Sequence, residues 1–400
     1  MHITSVENPL LTKSFENYVR ANDFIQKRVS PETTAFYSPQ KGVAFQLENK
    51  DFLPLIDLFE NKSGSTEKTP FNVQLHLTNN CNLRCKHCYQ HNYTSNELNL
   101  EEIIGIVNQL FDFCKAFNFT PEFSLTGGEP LMSKNFFEIL KYIKKRSRRT
   151  FVGVMTNGTL LNDKTAKKLE LLGANIIQIS LEASTKELND AIRGLGVYEK
   201  VLHSIKLLKK HKLQTAMHFV ATKTNASDIE PYYKLATKLG VNKVTISNLV
   251  PMGNGRRLQK EVLEPLELKE IYQKIYSLSK NKTTPTLTTS RTLWCLLDKS
   301  SGFCPVATKT ITILPNGNVM PCRRLGLIVG NLRKQSFFDI WFGSKILWDL
   351  RDKDKIKVCG SCEHHDNCNG CRGMAYAIHK DYLAPDPQCW KINSSMGVLK

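Results

Sequence analysis

The sequence predicts an α/β protein built around a parallel β-sheet. From Phe71 onward, short apolar runs alternate with amphipathic stretches in which apolar residues recur at helical spacing. Five such strand–helix repeats followed by a sixth strand predict a parallel sheet with right-handed crossovers. The chain has 400 residues, of which 41% are hydrophobic, so it can bury the cores of two to three domains. Catalytic groups are expected at the carboxyl ends of the strands.

The predicted elements alternate regularly along the chain. The strand candidates are the apolar runs at 73–77, 122–126, 151–156, 175–183, 215–222 and 242–250. The helix candidates are the amphipathic stretches at 100–117, 135–145, 163–173, 197–210 and 229–240. After residue 257 the alternation is expected to stop, and a polar stretch leads into a second group of cysteines.

Three segments are predicted from these patterns. Residues 1–69 form a short N-terminal segment with a hairpin candidate at 33–49, and it ends in the polar linker NKSGSTEKTP at 61–70. Residues 70–257 carry the strand–helix repeats, and residues 258–400 carry the second cysteine group. Bound metal can add stability to this last segment, because it has few long apolar elements of its own.

Composition limits the compartment and the partners. A cytoplasmic protein is expected, because no run of 18 uncharged apolar residues is present and the N-terminus lacks the pattern of a secretory signal. A formal net charge of +18 favours a negatively charged partner, such as an acidic peptide or a carboxylate-rich small molecule. Nucleic acid is not favoured, because no helix-turn-helix, zinc-finger or RNA-recognition signature accompanies the charge.

Three of the twelve cysteines fall within CNLRCKHC, directly after the first predicted strand. In a reducing compartment, cysteines favour metal binding or catalysis over disulfides. Cys81, Cys85 and Cys88 can reach one four-iron cluster from a single loop, which would leave one iron open to a small molecule. A zinc site completed by His87 or His91 is the alternative, because three cysteines and one histidine are a common zinc ligand set.

Together with its surroundings, this loop resembles the cluster loop of the radical S-adenosylmethionine enzymes. The motifs that carry the resemblance follow in family order: CNLRCKHCY, TGGEP at 126–130, TNG at 156–158, QISLEA at 178–183 and Arg193 in AIRGLG. The resemblance implies a partial (β/α)6 barrel, similar to a TIM barrel, and a [4Fe–4S] cluster on the three cysteines. It also implies that the open iron binds S-adenosylmethionine, whose one-electron cleavage gives a 5′-deoxyadenosyl radical that abstracts hydrogen from the substrate.

The same resemblance implies which residues contact S-adenosylmethionine. The predicted contact residues are Gly127, Gly128, Glu129, Asn157, Ser180, Glu182 and Arg193. The glycine pair would permit close backbone approach, with the Glu129 region near the methionine amino group. Ser180 and Glu182 would approach the ribose or the methionine carboxylate, and Arg193 would pair with that carboxylate. The alternatives are an ordinary strand-end hydroxyl for Ser180 and a helix-cap salt bridge for Arg193.

The C-terminal cysteines resemble the SPASM extension of the same superfamily, which binds auxiliary iron–sulfur clusters. Zinc is the general alternative for CGSC or CNGC alone, but eight thiols also fit two [4Fe–4S] clusters. The resemblance implies an outer cluster on Cys359, Cys362, Cys368 and Cys389. It implies an inner cluster on Cys304, Cys322, Cys371 and Cys295, of which Cys295 lies outside the seven-cysteine motif. Cys114 is expected to pack as a small hydrophobic residue in a helix.

SPASM proteins mostly modify peptides or proteins, and the resemblance therefore implies a maturase. The leading hypothesis is an enzyme that installs a crosslink or an oxidation in a ribosomally made peptide, with flavodoxin or ferredoxin as electron donor. Residues 1–69 are expected either to grip an acidic leader peptide by adding a strand or to cap the barrel. Glu122, His218 and Asn248 are candidates for a substrate acid or base by strand position alone.

Two other functions stay open at this point. Oxidation or decarboxylation of a tetrapyrrole side chain is one, because CNGCRGMAYA and DYLAPDPQCW resemble the C-terminal segments of haem-type maturases. A non-catalytic iron–sulfur or zinc scaffold is the other. Reductive cleavage of S-adenosylmethionine separates the scaffold from both enzymes.

Overall fold

The computed structural model describes residues 25–28, 33–38, 43–48, 69–90, 96–116, 119–280, 284–289, 292–298, 304–365 and 367–392. The first three strands, β1 (Ile25–Arg28), β2 (Thr33–Ser38) and β3 (Val43–Glu48), form an antiparallel sheet of their own. Thr33 of β2 pairs with Glu48 of β3, which confirms the predicted hairpin at 33–49.

A second sheet contains ten strands. They are β4 (Thr69–His76), β5 (Phe119–Thr126), β6 (Phe151–Thr156), β7 (Ile176–Ser180), β8 (Thr215–Ala221), β9 (Lys243–Asn248), β10 (Thr286–Thr289), β11 (Thr310–Ile313), β12 (Asn318–Met320) and β13 (Gly330–Asn331). Strands β4 to β9 pair in parallel and in chain order, as the six apolar runs predict. The strand order runs from β10 through β9 down to β4 and continues with β11, β12 and β13, so the sheet stays open.

The described helices lie between and after these strands. They are α1 (Leu100–Ala116), α2 (Phe136–Arg146), α3 (Asp163–Leu171), α4 (Lys186–Arg193), α5 (Val197–Lys210), α6 (Ile229–Leu239), α7 (Pro265–Ser279), α8 (Phe337–Gly343), α9 (Lys345–Arg351) and α10 (Arg372–His379). Five of them agree with the predicted helices to within two residues at each end. Within the described ranges, no helix is both long and apolar enough to cross a membrane.

The strand–helix alternation continues past residue 257, where the sequence was expected to lose it. Helix α7 buries Leu268, Ile271, Tyr272 and Ile275, which recur at helical spacing. Strand β10 then pairs in parallel with β9. The expectation was wrong because the polar residues around 253–261 form only a 3-10 segment between two regular elements.

The C-terminal part shares both sheet and core with the strand–helix repeats. Strand β11 pairs in parallel with β4, and an antiparallel β11–β12 hairpin turns at PNG, where Gly317 has a φ of +84°. The rings of Phe337 and Trp341 in α8 lie 4.9 and 5.4 Å from that of Phe113 in α1. Cys114 is fully buried in the same core, as predicted.

Candidate functional site

The loop after β4 presents three partly buried thiols, those of Cys81, Cys85 and Cys88. The Cys88 amide donates to the Cys85 carbonyl at 3.2 Å, which turns the loop tightly. The Lys86 amide donates to the carbonyl of Ile192, near the end of α4, at 3.0 Å. Burial raises the pKa of the Cys81 and Cys88 thiols, so that the thiolates need a nearby positive charge or a metal.

The glycine pair at the end of β5 fits closely against the start of this loop. The Gly128 amide donates to the Thr78 carbonyl at 2.8 Å. A Cβ on Gly127 would overlap the Thr78 carbonyl oxygen, and one on Gly128 would overlap that of Asn80. The glycines therefore set the position of the cluster loop through backbone contact.

Glu129 is fully buried and uses its carboxylate inside the protein. It accepts hydrogen bonds from the Thr156 hydroxyl at 2.7 Å, the Asn157 amide at 2.8 Å and the Leu131 amide at 3.2 Å. Its side chain does not line the cavity described next, whereas Gly127 and Gly128 do. Through these hydrogen bonds the carboxylate connects the segment after β5 to the end of β6.

A cavity lies beside the three thiols at the carboxyl ends of the parallel strands, where catalytic groups were expected. Thr126, Thr156 and Ser180, the last residues of β5, β6 and β7, contribute to its lining. So do Cys81, Cys85, Cys88, Asn157, Glu182, Arg193, His218 and Asn248. All the predicted contact residues except Glu129 therefore meet at one cavity.

Glu182 and Arg193 form a buried charge pair in this cavity. Nη1 of Arg193 lies 3.7 Å from Oε1 of Glu182, and Nε2 of His87 lies 3.3 Å from the same oxygen. Burial alone would raise the pKa of the Glu182 carboxyl, but His87 and Arg193 lower it to about 2. Oε2 of Glu182 accepts the Val220 amide at 2.7 Å. The carboxylate is therefore ionised and held in place.

The polar atoms of this pair fit the methionine end of S-adenosylmethionine. Nε and Nη1 of Arg193 are buried and donate no hydrogen bond within the described structure, and Oε1 of Glu182 lies 3.3 Å from Nε2 of His87. The two guanidinium donors match a carboxylate, and the carboxylate of Glu182 matches an ammonium group. Arg193 is the last residue of α4, the position that the alternative role in a helix-cap salt bridge required. Its side chain nevertheless lines the cavity.

Asn157 connects β6 to the cluster loop. Its Nδ2 lies 3.9 Å from the Cys81 sulfur and donates to Oδ1 of Asn82 at 2.9 Å. Its Oδ1 accepts from both the amide and the hydroxyl of Thr159. Asn157 therefore orients the first cysteine of the loop.

Of the three candidates for a substrate acid or base, two line the cavity and one does not. His218 lines the cavity with Nε2 3.1 Å from the Ser247 hydroxyl, and burial lowers its pKa to about 3. Asn248 also lines the cavity, and its amide donates to Gln388, next to Cys389. Glu122 lies in register with Phe151, the first residue of β6, and so does not reach the carboxyl ends. The position of Glu122 on a predicted strand was therefore not sufficient to identify a cavity residue.

The outer cysteines of the C-terminal part share one cavity. It is lined by Cys359, Cys362, Cys368 and Cys389. The buried carboxylate of Asp386 lines it as well and accepts the amide of Cys371 at 2.7 Å. This grouping is the one expected for an outer cluster.

The inner cysteines line a second, smaller cavity together with Arg324 and Arg372. They are Cys304, Cys322 and Cys371. The Cys371 sulfur accepts the Met374 amide at 3.4 Å and thereby caps the N-terminus of α10.

Cys295 departs from its expected place. The sequence grouped it with the inner cysteines, but its thiol is hydrogen-bonded to that of Cys368 in the outer group. The reason is the 3-10 turn Thr292–Leu296, whose Thr292 borders the inner cavity while Leu293 and Leu296 border the outer one.

Among the described residues, no three His, Cys, Asp or Glu side chains are grouped to hold one metal ion. A zinc ion needs ligands that converge on one centre, whereas each thiolate of a four-iron cluster binds a different iron. His87 pairs with Glu182, and His91 lies outside the described residues.

Two family models match the chain. One, described as the Radical SAM superfamily, covers residues 75–236, and the other, the SPASM iron–sulfur cluster-binding domain, covers residues 304–371. The AdoMet-dependent heme synthase of Methanosarcina barkeri is 30% identical over an alignment of 346 residues, with 78% of this chain and 94% of that protein covered. This chain belongs to the radical S-adenosylmethionine superfamily. It is an enzyme of the branch with a SPASM domain, and these domains imply a [4Fe–4S] cluster and S-adenosylmethionine binding.

Other members of the superfamily are similar over comparable lengths. The mycofactocin maturase MftC of Mycobacterium ulcerans is 27% identical, with 84% of this chain and 90% of that protein covered. SuiB of Streptococcus suis, solved with its precursor peptide SuiA, has a TM-score of 0.65 at 15% identity and covers 91% of this chain and 98% of its own. The AdoMet-bound anSMEcpe structure has a TM-score of 0.64 at 21% identity, with 80% and 94% covered. These structures share the predicted partial barrel.

Sequence reasoning missed several residues that line the cavity. Tyr89 and Gln90 follow the last cysteine of the cluster loop, and Arg323 and Arg324 follow Cys322. His87 was considered only as a zinc ligand. These residues could have been found from the sequence by their position next to a cluster cysteine, because residues beside a ligand lie near the cluster.

Proposed function

We propose that this enzyme cleaves S-adenosylmethionine reductively and abstracts a hydrogen atom from a ribosomally made peptide, installing a crosslink or an oxidation. When bound by Cys81, Cys85 and Cys88, the cluster would supply the electron for this cleavage, and the deoxyadenosyl group released would take up the substrate hydrogen. The observation that carries the proposal is the meeting of three cluster-loop thiols with the buried Arg193 guanidinium in one cavity, where Nε and Nη1 of Arg193 donate no hydrogen bond within the described structure.

Each cavity residue has a defined part in this proposal. Cys81, Cys85 and Cys88 bind the [4Fe–4S] cluster, while Arg193 pairs with the methionine carboxylate and Glu182 with its ammonium group. The glycine pair and Glu129 act on the position of the loop and the strand ends, and Asn157 orients Cys81. Ser180, which lines the cavity, is proposed to donate to the ribose.

The cavity also has to protect a reactive alkyl radical from water and oxidants. Met155, Val220, Leu249 and Val250 provide an apolar part of its lining. Burial lowers the pKa of His218 to about 3, so its imidazole is neutral at physiological pH and adds no positive charge to the cavity.

The C-terminal cysteines are proposed to hold two auxiliary [4Fe–4S] clusters. The outer cluster binds Cys359, Cys362, Cys368 and Cys389. The inner cluster binds Cys304, Cys322 and Cys371. Cys295 lies in the turn that borders both cavities, with its thiol hydrogen-bonded to that of Cys368 in the outer group. These clusters are suited to removing an electron from the substrate radical, and flavodoxin or ferredoxin would reduce the first cluster.

A peptide substrate is supported by the relatives and by the N-terminal segment. Mycofactocin maturase and PqqA peptide cyclase are among the similar proteins, and SuiB was solved with a precursor peptide. Among the described strands, β1 and β3 pair only with β2, so each is an edge to which an extended peptide can add a strand. A net charge of +18 favours an acidic leader.

Oxidation or decarboxylation of a tetrapyrrole side chain is the second candidate. The heme synthase of Methanosarcina barkeri at 30% identity and the Fe-coproporphyrin III synthase of the same organism at 26% favour it. Hydrogen loss from a peptide identifies the first function, and carbon dioxide released from a propionate identifies the second.

The test is an anaerobic reconstitution with iron and sulfide, followed by dithionite and S-adenosylmethionine. About twelve irons per chain and formation of 5′-deoxyadenosine are expected, because three four-iron clusters are proposed. Replacing Cys81, Cys85 and Cys88 together by alanine should remove about four irons and abolish deoxyadenosine formation. Bound zinc without cleavage of S-adenosylmethionine would refute the proposal.

A further inference from the structure

The SPASM domain contributes two arginine side chains to the lining of the cavity beside the cluster loop. Arg323 and Arg324 directly follow Cys322, an inner-cluster cysteine, and both line the cavity that contains Cys81 and Arg193. Neither arginine is needed for the contacts to S-adenosylmethionine assigned above. Two further positive charges in the same cavity favour a second anionic group on a ligand, besides the methionine carboxylate.

Arg323 is held in place by an aromatic residue of the cluster loop. Its guanidinium carbon lies 5.1 Å from the ring centroid of Tyr89, and its side chain is hydrogen-bonded to that of Tyr89. The Tyr89 ring packs edge-to-face on His76, at 6.1 Å between centroids. A Cβ on Gly253 would overlap the Tyr89 carbonyl, so the backbone beneath the ring is closely packed as well. The guanidinium is thus oriented before any ligand binds.

The protein does not neutralise Arg323. In the described part of the chain, its side chain has no carboxylate partner. Glu182 is the one carboxylate among the residues that line the cavity, and it is engaged with His87 and Arg193. A partly buried guanidinium that faces a cavity and has no carboxylate partner in the described structure matches a ligand carboxylate in charge and shape.

We propose that Arg323, seated on Tyr89, binds a carboxylate of the substrate and so positions it between the first cluster and the inner auxiliary cluster. The proposal deepens the proposed function and rests on it. The ligand class is an organic molecule with a carboxylate near the reacting carbon. An acidic or C-terminal residue of a peptide and a tetrapyrrole propionate both carry this group.

The test uses cluster-loaded enzyme with S-adenosylmethionine and two pairs of probes. One pair is iron coproporphyrin III and its tetramethyl ester, and the other is an acidic peptide with a free C-terminus and its fully amidated analogue. The wild type should bind at least one acid probe more tightly than its neutral partner, and the probe that binds identifies the source of the carboxylate. The variants are Arg323→Gln, Arg323→Lys and Tyr89→Phe.

Arg323→Gln should weaken binding of the acid probe about tenfold to a hundredfold and leave the neutral probe unaffected. Arg323→Lys should recover part of that loss, and Tyr89→Phe should cause a smaller one. Arg149→Gln is the matched control, because it removes one positive charge from an exposed residue just before β6, at the opposite end of the strands.

Equal binding of acid and neutral probes by the wild type would overturn the proposal, as would unchanged acid binding by Arg323→Gln. A loss of S-adenosylmethionine affinity in Arg323→Gln would also overturn it, because the residue would then belong to the cofactor site. Formation of 5′-deoxyadenosine without substrate reports separately on the proposed function.

Discussion

Glu129 and Glu182 are both buried glutamates near the carboxyl ends of parallel strands, and their surroundings give them different tasks. Burial raises the pKa of Glu129, although three hydrogen bonds act in the opposite direction. Burial would also raise the pKa of Glu182, but His87 and Arg193 lower it to about 2. Motif matching assigned both residues to the cofactor, whereas local contacts separate a positioning residue from a ligand-facing one.

Replacing Glu182 by Gln tests the assignment at this residue. The change removes the negative charge that faces the ligand ammonium group and leaves Arg193 without its partner. We expect S-adenosylmethionine to bind about tenfold to a hundredfold more weakly in anaerobic equilibrium dialysis, with iron content unchanged. Unchanged affinity would show that Glu182 only maintains the fold.

Short elements explain most of what sequence reasoning missed. The long helices α1, α5 and α6 carry sustained apolar periodicity, so their bounds were predictable. Helix α4 has eight residues, several of them polar, and was not recognised although it positions Arg193. Strands β10 and β11 have four residues each and depend on pairing with β9 and β4, which no local pattern reveals.

The glycine turn after β5 gives a prediction at the level of one element. In Gly128→Ala the new methyl group would collide with the Asn80 carbonyl, and the backbone there cannot yield as a flexible side chain would. We expect about four irons to be lost from the first cluster while the auxiliary clusters remain, as measured by iron analysis of the reconstituted protein.

Gly105→Ala is the control for this change. Gly105 is exposed in the middle of α1, with no atom within 4 Å of an added Cβ. Iron content should stay at the wild-type value, and helix stability should rise by about 1 kcal/mol or less. Equal iron loss in both variants would contradict the role given to the glycine pair.

Across the whole molecule, the SPASM domain is attached to the barrel by contacts between distant parts of the sequence. The α8 rings pack on Phe71 and Phe113, and Asn248 bonds to Gln388 beside Cys389. Sequence motifs identified both domains, but their shared core could not be inferred, because it depends on which distant surfaces meet. The separate boundary expected at 257 therefore does not describe how the sheet is built.

The ion pair between Arg333 and Glu102, called the clamp below, offers a test of this attachment. Arg333 donates to both Glu102 carboxylate oxygens, at 2.6 and 2.9 Å, and to the carbonyl of Glu97 at 3.0 Å. A double-mutant cycle of Arg333→Met and Glu102→Gln should give a coupling of about 1 kcal/mol. The readout is hydrogen exchange of amides in 318–331, and Lys234→Gln on the exposed face of α6 should leave it unchanged.

The pH dependence of this clamp follows from Glu102. The hydrogen bonds from Arg333 lower the Glu102 pKa from 4.5 to about 2, so the folded state favours the ionised carboxylate. Its stabilisation is complete above pH 4.5 and is lost as the pH falls towards 2. The coupling should therefore be the same at pH 8 and pH 6. A decrease between those values would mean that another group carries it.

The pairing of β11 with β4 has a consequence for biosynthesis. Strand β4 ends at residue 76 and emerges from the ribosome long before β11, which begins at residue 310. Until translation reaches that point, one edge of β4 exposes unpaired amide and carbonyl groups, which can pair with another nascent chain. Slow translation or a truncated product would prolong this exposure. Once it has been made, the C-terminal domain covers this edge and thus also protects the first strand of the barrel from aggregation.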